Sequence, residues 1–365
     1  MKIAIVTQPL LGNYGGILQN YALQYVLKRM NHSVVTIDYT LTNSLWRYFR
    51  HTLKYMVRKA FGKLQPDETA PARYRLRTKK MERFVQNHIT LTPRVSRYSA
   101  DILVAEQSDV IVVGSDQVWR PRYNRYLEDM FLRFAEGMDL KRVAYAASFG
   151  VGRWEFSSSQ TRTCRRLAAL FNAISVREES GVTLCMENLG VEATAVLDPT
   201  LLLHAEDYAK LCADVPKEEE PFLAAYFLHS HHKKAVSAKY EFVKELAKQK
   251  GLALRIFEAD NVQSAPIEEW LSVFRDASMI VTESFHGTVF SIINHREFLT
   301  LENKSRGTAR LKTLLGALGL EDRLVSEPSP LSMSSLPPIA YDEVELRLDN
   351  LRLKSMTFLQ DALTK

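Results

Sequence analysis

Short apolar runs that close on glycine, serine or aspartate, each followed by a segment with apolar residues at helical spacing, alternate along most of the chain. KIAIVT leads into the turn GNYGG and then into ILQNYALQYVLKRM, where Ile17, Leu18, Tyr21, Ala22, Tyr25, Val26 and Met30 recur at helical spacing; HSVVTIDY follows as a second strand. DVIVVGS (109–115), RVAYAASF (142–149), AISVR (173–177) and ATAVLD (193–198) read as further strands, with helical segments over 158–171 and 178–189. CADVPKEEEP is charged and bounded by proline, which predicts a linker. The alternation then restarts: FLAAYFL, a helix over 234–250, LALRIF, a helix over 267–277, MIVTES, a helix over 287–294, EFLTLE and a helix over 308–318. SEPSPLSMSSLPP (326–338) reads as irregular, and 341–363 as a long closing helix.

Strand-helix alternation of this kind predicts an α/β protein with two Rossmann-like domains, 1–205 and 218–325, followed by the irregular segment and closing helix of 326–365. Two such domains facing across a cleft form the GT-B architecture of one class of glycosyltransferases. Ligands of open α/β sheets gather beyond the carboxyl ends of the strands, so the loops after each strand are the places to search.

Composition narrows the function classes. The chain has 365 residues, 46% apolar and 25% charged, and the three cysteines, Cys164, Cys185 and Cys212, form neither a C-x-x-C pair nor a disulfide framework. The opening MKIAIVTQPLLGNYGG lacks the order of a signal peptide, and no apolar run approaches a membrane span, so a cytoplasmic protein is expected. The net charge of +6 is concentrated: residues 40–80 carry +9, leaving −3 for the remainder, which argues against a nucleic-acid surface. Within that window, 44–64 sets Leu45, Phe49, Leu53, Met56, Ala60 and Leu64 opposite Arg47, Arg50, His51, Lys54 and Arg58. Such a helix either lies on an anionic membrane, making the protein peripheral on its inner face, or packs on the sheet with a wet basic side.

Several strand ends carry chemistry. Gly12, Gly15 and Gly16 permit a tight turn before a helix whose free N–H groups suit an anion, although the spacing departs from G-x-G-x-x-G. VVGSDQVW places Asp116 as a base or a helix cap, and Trp119 as a sugar platform or a core residue. Arg177 can grip an anion or pair with Glu178 or Glu179. His286 follows MIVTES, where its imidazole would meet the N–H groups of Gly287 and Thr288 at a helix start. Arg306 and Arg310 stand one helical turn apart. HSHHKK (229–234) lacks metal-ligand spacing and reads as a loop; no metal site is expected.

GNYGGILQNYALQ, VVGSDQVW, ASFG, SVREESG, VLDPTLLL and ESFHGTVFSIINHREF, in this order from about Ile3 to Leu324, resemble the polysaccharide pyruvyl transferase family. The resemblance implies a GT-B-like fold and phosphoenolpyruvate as co-substrate in place of a nucleotide sugar. The product would be a pyruvate ketal on a sugar of a bacterial capsular or exopolysaccharide precursor, lipid-linked, with phosphate released and no cofactor. That chemistry needs an acid, a base and an anion clamp. His286 and Asp116 are the expected catalytic pair. Arg177, Glu283, Ser284, Gly287, Thr288, Arg306 and Arg310 are expected at the donor, and Asn13, Tyr14, Gly15, Gly16, Gln19, Ser115 and Trp119 at the acceptor. The rival readings are a nucleotide-sugar glycosyltransferase and a non-catalytic protein that binds anionic glycans or membranes.

Overall fold

A computed structural model describes residues 1–40, 70–228, 234–259, 265–303, 307–326 and 336–364, with backbone alone over 70–78 and 234–237. The basic segment 44–64, His229 with the rest of 229–233, Arg306 and most of 326–338 lie outside the described residues.

Two parallel sheets organise the chain. The first lobe holds β1 (Lys2–Val6), β2 (Ser33–Thr36), β3 (Val110–Asp116), β4 (Lys141–Ala147), β5 (Ala173–Val176) and β6 (Thr194–Ala195) in the order β2-β1-β3-β4-β5-β6. The second holds β7 (Phe222–Phe227), β8 (Ala253–Glu258), β9 (Met279–Thr282), β10 (Glu297–Leu301) and β11 (Leu324–Val325) in the order β11-β10-β9-β7-β8. Parallel pairing requires a crossover between strands, here supplied mainly by helices: α1 (Tyr14–Arg29), α2 (Ala70–His88), α3 (Ala100–Ala105), α4 (Ser158–Ala168), α5 (Glu179–Leu184) and α6 (Ala205–Ala209), then α7 (Lys234–Lys250), α8 (Ile267–Asp276), α9 (Phe285–Ile293), α10 (Ala309–Leu318) and α11 (Tyr341–Thr364).

Both faces of each sheet are covered, and the two-residue period of a strand sorts its side chains accordingly. Ile3, Ile5, Val110 and Val112 point into the core between the lobes, whereas Ala4, Val6, Ile111 and Val113 point away into a second core around Phe131. The same split occurs on β7, with Phe222, Ala224 and Tyr226 on the shared side and Leu223, Ala225 and Phe227 on the other. One apolar cluster therefore runs continuously through both lobes.

Trp119 belongs to the outer core of the first lobe, which corrects its assignment to the acceptor. It is fully buried, stacks on Phe131 at 4.7 Å, and donates its indole N–H to Met130 O at 3.0 Å. The turn after β3 folds inward there, because a buried indole needs both an aromatic neighbour and an acceptor.

The closing helix α11 follows the second lobe but fastens to the first. Ser355 Oγ accepts from Leu197 N at 3.0 Å, Arg352 Nε donates to Leu201 O at 2.8 Å, and Lys141 Nζ donates to Leu363 O at 2.8 Å. This brace ties the helix that follows the second lobe back to the first.

Candidate active site

The site forms where β3, β5 and β6 of the first lobe end against the start of α9 and α10 of the second. Ser284 is the N-cap of α9, its Oγ accepting from Gly287 N at 3.2 Å and its carbonyl from Thr288 N at 3.0 Å. The helix therefore starts earlier than the sequence pattern predicts. His286 stands within its first turn, and the two amides expected to hold a phosphate are already bonded. Thr288 is fully buried, with its hydroxyl between Ser284 O and Thr300 Oγ1. Gly287 lies so close to Thr282 that an added Cβ would fall 2.4 Å from its Oγ1. The anion-binding role expected of Gly287 and Thr288 thus gives way to capping and close packing.

His286 is 7% exposed and lies between the lobes. On one side, a Cβ added to Gly15 would sit 1.9 Å from its Nδ1, so the absence of a side chain at Gly15 lets the glycine turn meet the imidazole. On the other, its Nε2 is 3.6 Å from Asp198 Oδ2. Asp198, at the carboxyl end of the β6 segment, is fully buried; Oδ2 pairs with Arg177 Nη2 at 2.7 Å while Oδ1 accepts from Thr200 N at 2.9 Å. Arg177 also donates to Ser115 Oγ and places Nη1 3.8 Å from Asp116 Oδ1. Arg310 of the second lobe approaches the same Asp116 oxygen at 3.8 Å. Both guanidinium carbons lie over the Phe285 ring, at 5.1 and 5.3 Å from its centre.

This group is polar, charged and almost dry. Burial pushes the Asp198 carboxyl up, but Arg177, His286 and Thr200 outweigh it and hold the group below the ordinary aspartate range. Burial raises Glu178, which is only partly offset by Arg310, Ser148, Gly150 and Arg177. Its Oε1 accepts from Phe149 N at 2.7 Å and Gly150 N at 3.0 Å. Burial and the neighbouring Arg177 charge lower Arg310, against the pull of Asp116, Glu178 and Asp198. Nitrogen atoms nevertheless remain without hydrogen-bond partners among the described residues: Nε and Nη1 of Arg177, Nε of Arg310 and Nε2 of His286. Buried N–H groups of this kind are costly unless a ligand acceptor meets them. Asp116 holds φ +73°, a left-handed conformation that few residues other than glycine adopt; here it turns the carboxylate between the two guanidinium groups.

The other expected site residues divide. Gly15 lies at the imidazole, and Gly16 packs on exposed Asn13 at the mouth of the turn. Tyr14 is an interlobe tie, stacked on Trp270 at 5.1 Å with its hydroxyl donating to Ala265 O at 2.6 Å. Gln19 and Ser115 are fully buried and bonded to each other, Ser115 N to Gln19 Oε1 at 3.0 Å, which removes them from acceptor contact. Glu283 is a fastener among strand ends rather than a donor ligand: its oxygens take Leu228 N at 2.8 Å, Lys239 Nζ at 2.5 Å and Asn303 Nδ2 at 3.0 Å. Asp198 and Phe285 are the central residues that pattern reasoning passed over, and Glu178 entered only as a partner for Arg177. A signal for Asp198 was present in VLDPT, an acidic residue closing a strand before proline. The cysteines supply no nucleophile, for all three are buried, and burial pushes Cys164 and Cys185 up to about 12.

Gly15→Ala would drive a methyl group into the His286 ring and displace the imidazole. We expect activity to fall by about a hundredfold or more while the melting temperature changes little, since catalysis is sensitive to ~1 Å misplacement. Activity and thermal melts on the same sample check this.

Two parallel α/β lobes with a buried charged group between them define a GT-B-like protein. Solved structures agree with this fold. MnaA of S. aureus, determined with UDP, is 10% identical, with 96% of this chain and 89% of that one covered and a TM-score of 0.52. A UDP-GlcNAc 2-epimerase from Methanocaldococcus jannaschii is 11% identical over 96% and 93% of the two chains, with a TM-score of 0.50. No curated protein sequence matches. The family comparison is specific: residues 13–305 match polysaccharide pyruvyl transferase, and the chain belongs to that family. Membership makes it a transferase acting in polysaccharide synthesis. No helix among the described residues is long and apolar enough to cross a membrane.

Proposed function

We propose that the protein transfers the enolpyruvyl group of phosphoenolpyruvate to a saccharide, forming a pyruvate ketal and releasing phosphate. One observation carries the reading: Arg177, Arg310 and His286, drawn from both lobes, converge at Phe285, and Arg177 Nη1 and His286 Nε2 are buried nitrogens without a hydrogen-bond partner among the described residues. Phosphoenolpyruvate brings about three negative charges and both a carboxylate and a phosphate, the acceptors that paired guanidinium groups hold best.

In this scheme His286 protonates the methylene carbon as general acid. One sugar hydroxyl gives its proton to Asp116 as it captures the cationic carbon; the carbon–phosphate oxygen bond then breaks, the phosphate leaving with that proton, and a second hydroxyl closes the ketal as its proton restores His286. Asp198 positions the imidazole and Arg177 together. Arg177 and Arg310 neutralise the departing phosphate, an electrostatic contribution that grows in a dry site. The acceptor reaches the group past Asn13 and the Gly15–Gly16 turn. A lipid-linked precursor at the inner face of the cytoplasmic membrane suits the +9 charge of residues 40–80, which would draw the protein to anionic headgroups.

Titration of the whole protein with phosphoenolpyruvate tests the reading. Wild-type protein should bind it, and Arg310→Ala should weaken binding by about ten- to a hundredfold, the loss of one charge-assisted pair at about 1.5–3 kcal/mol. Equal affinity in the variant, or binding of a UDP-sugar in place of phosphoenolpyruvate, would favour a nucleotide-sugar glycosyltransferase.

A further inference from the structure

Behind the wall made by Arg177, Asp198, Phe285 and Arg310 lies a recess of about 60 Å³. Its other sides come from the segment after β6 and from α10 and α11, with Ala317, Lys354 and Glu179 among the lining residues. Neither His286, Asp116 nor the glycine turn lines it. The two arginines therefore have two sides, one toward Asp116 and the acceptor and one toward this compartment. Ala317, Lys354 and Glu179 are exposed and mark its mouth.

We propose that this recess is an oxyanion site that receives inorganic phosphate on the side of the arginine pair away from the acceptor. Its size suits a small ligand: a water takes up about 30 Å³ in the liquid, so the recess has room for about two waters, the scale of one tetrahedral oxyanion. Its charge agrees: Arg177, Arg310 and Lys354 face Asp198 and Glu179, and Asp198 is already committed to Arg177 at 2.7 Å. Arg310 Nε and Arg177 Nε are buried without hydrogen-bond partners among the described residues. The lowered affinity of Arg310 for its proton, from burial and from Arg177, is the mark of a place that an anion would relieve. The apolar walls on α10 and α11 exclude water from a bound oxyanion and so strengthen those contacts. The inference rests on the proposed reaction only for the source of the phosphate.

Ala317→Trp places an indole across the mouth without touching the front of the site. Calorimetric titration of the whole protein with inorganic phosphate should show binding to wild type, and about tenfold or weaker binding to Ala317→Trp with an unchanged melting temperature. Lys354→Ala, at the exposed rim, should weaken it severalfold, and it carries the test if the tryptophan variant does not fold. Phosphoenolpyruvate should bind Ala317→Trp as it binds wild type. Undiminished phosphate affinity in both variants, or no phosphate binding by wild type, overturns the recess. Phosphate binding by wild type that is lost in Ala317→Trp, with no phosphoenolpyruvate binding to either, keeps the recess and refutes the proposed donor.

Discussion

Replacing His286 by alanine is expected to reduce ketal formation by about a hundredfold to ten-thousandfold, the range over which a positioned general acid acts. The fold should survive, because the ring lies against Gly15 and Asp198 at the lobe junction and not among the large apolar side chains that fill the core. Donor binding should fall far less than turnover, since the two guanidinium groups remain. Steady-state rates combined with donor titration separate the two effects. A variant that keeps most of its turnover would remove the imidazole from the chemistry.

Asp198→Asn should have the largest effect on stability. Arg177 is 2% exposed in its side chain and pairs at 2.7 Å with a carboxylate that is itself fully buried. Removing one charge leaves Arg177 buried with only the more distant Asp116 carboxylate, 3.8 Å away, at a cost of up to about 3–5 kcal/mol. Removing both with Arg177→Leu and Asp198→Leu should restore much of the loss, though not the activity. The pH dependence has a definite sign. Because the folded carboxyl titrates below its unfolded value of about 3.9, its stabilisation is complete above that value and is lost as pH falls through the lower folded value. The deficit of the asparagine variant should therefore be constant at neutral pH and shrink only in strong acid. Denaturant midpoints across pH measure it.

The architecture was legible in the sequence because buried parallel strands are written as continuous apolar runs, such as VIVV of β3 and MIVT of β9, between amphipathic helices. Helix α7 falls on the predicted 234–250, and α11 departs from prediction by one residue at its end. Helix α2 went unread: its sequence, APARYRLRTKKMERFVQNH, is dominated by charge, so the apolar positions that pack it, Met81, Phe84 and Val85, form too short a stripe.

The site was legible only in part. Asp116 and Arg177 stand at strand ends, His286 and Arg310 in the first turns of α9 and α10, and the structure brings them together. What failed was the separation of ligand contacts from structural ones. Glu283, Thr288, Gln19 and Trp119 also stand at strand ends or beside them, yet their polar atoms are taken by backbone groups and neighbouring side chains. Whether a strand-end residue faces the cleft or its own backbone depends on which hydrogen bonds the adjacent loop leaves open, and that is decided by contacts remote in sequence. Asp198 was missed for the reverse reason. A lone acidic residue in an apolar stretch gives no sign of partners as distant as Arg177 and His286.

The central claim is that guanidinium groups from both lobes and one imidazole jointly process a phosphorylated enol acid. Its most direct measurement is the wild-type protein incubated with phosphoenolpyruvate and lipid-linked saccharides, following phosphate release together with the mass of the saccharide. The account predicts phosphate released in step with a saccharide that has gained one pyruvate ketal. Intact phosphoenolpyruvate, alongside sugar transfer from a UDP-sugar to the same saccharides, would contradict it.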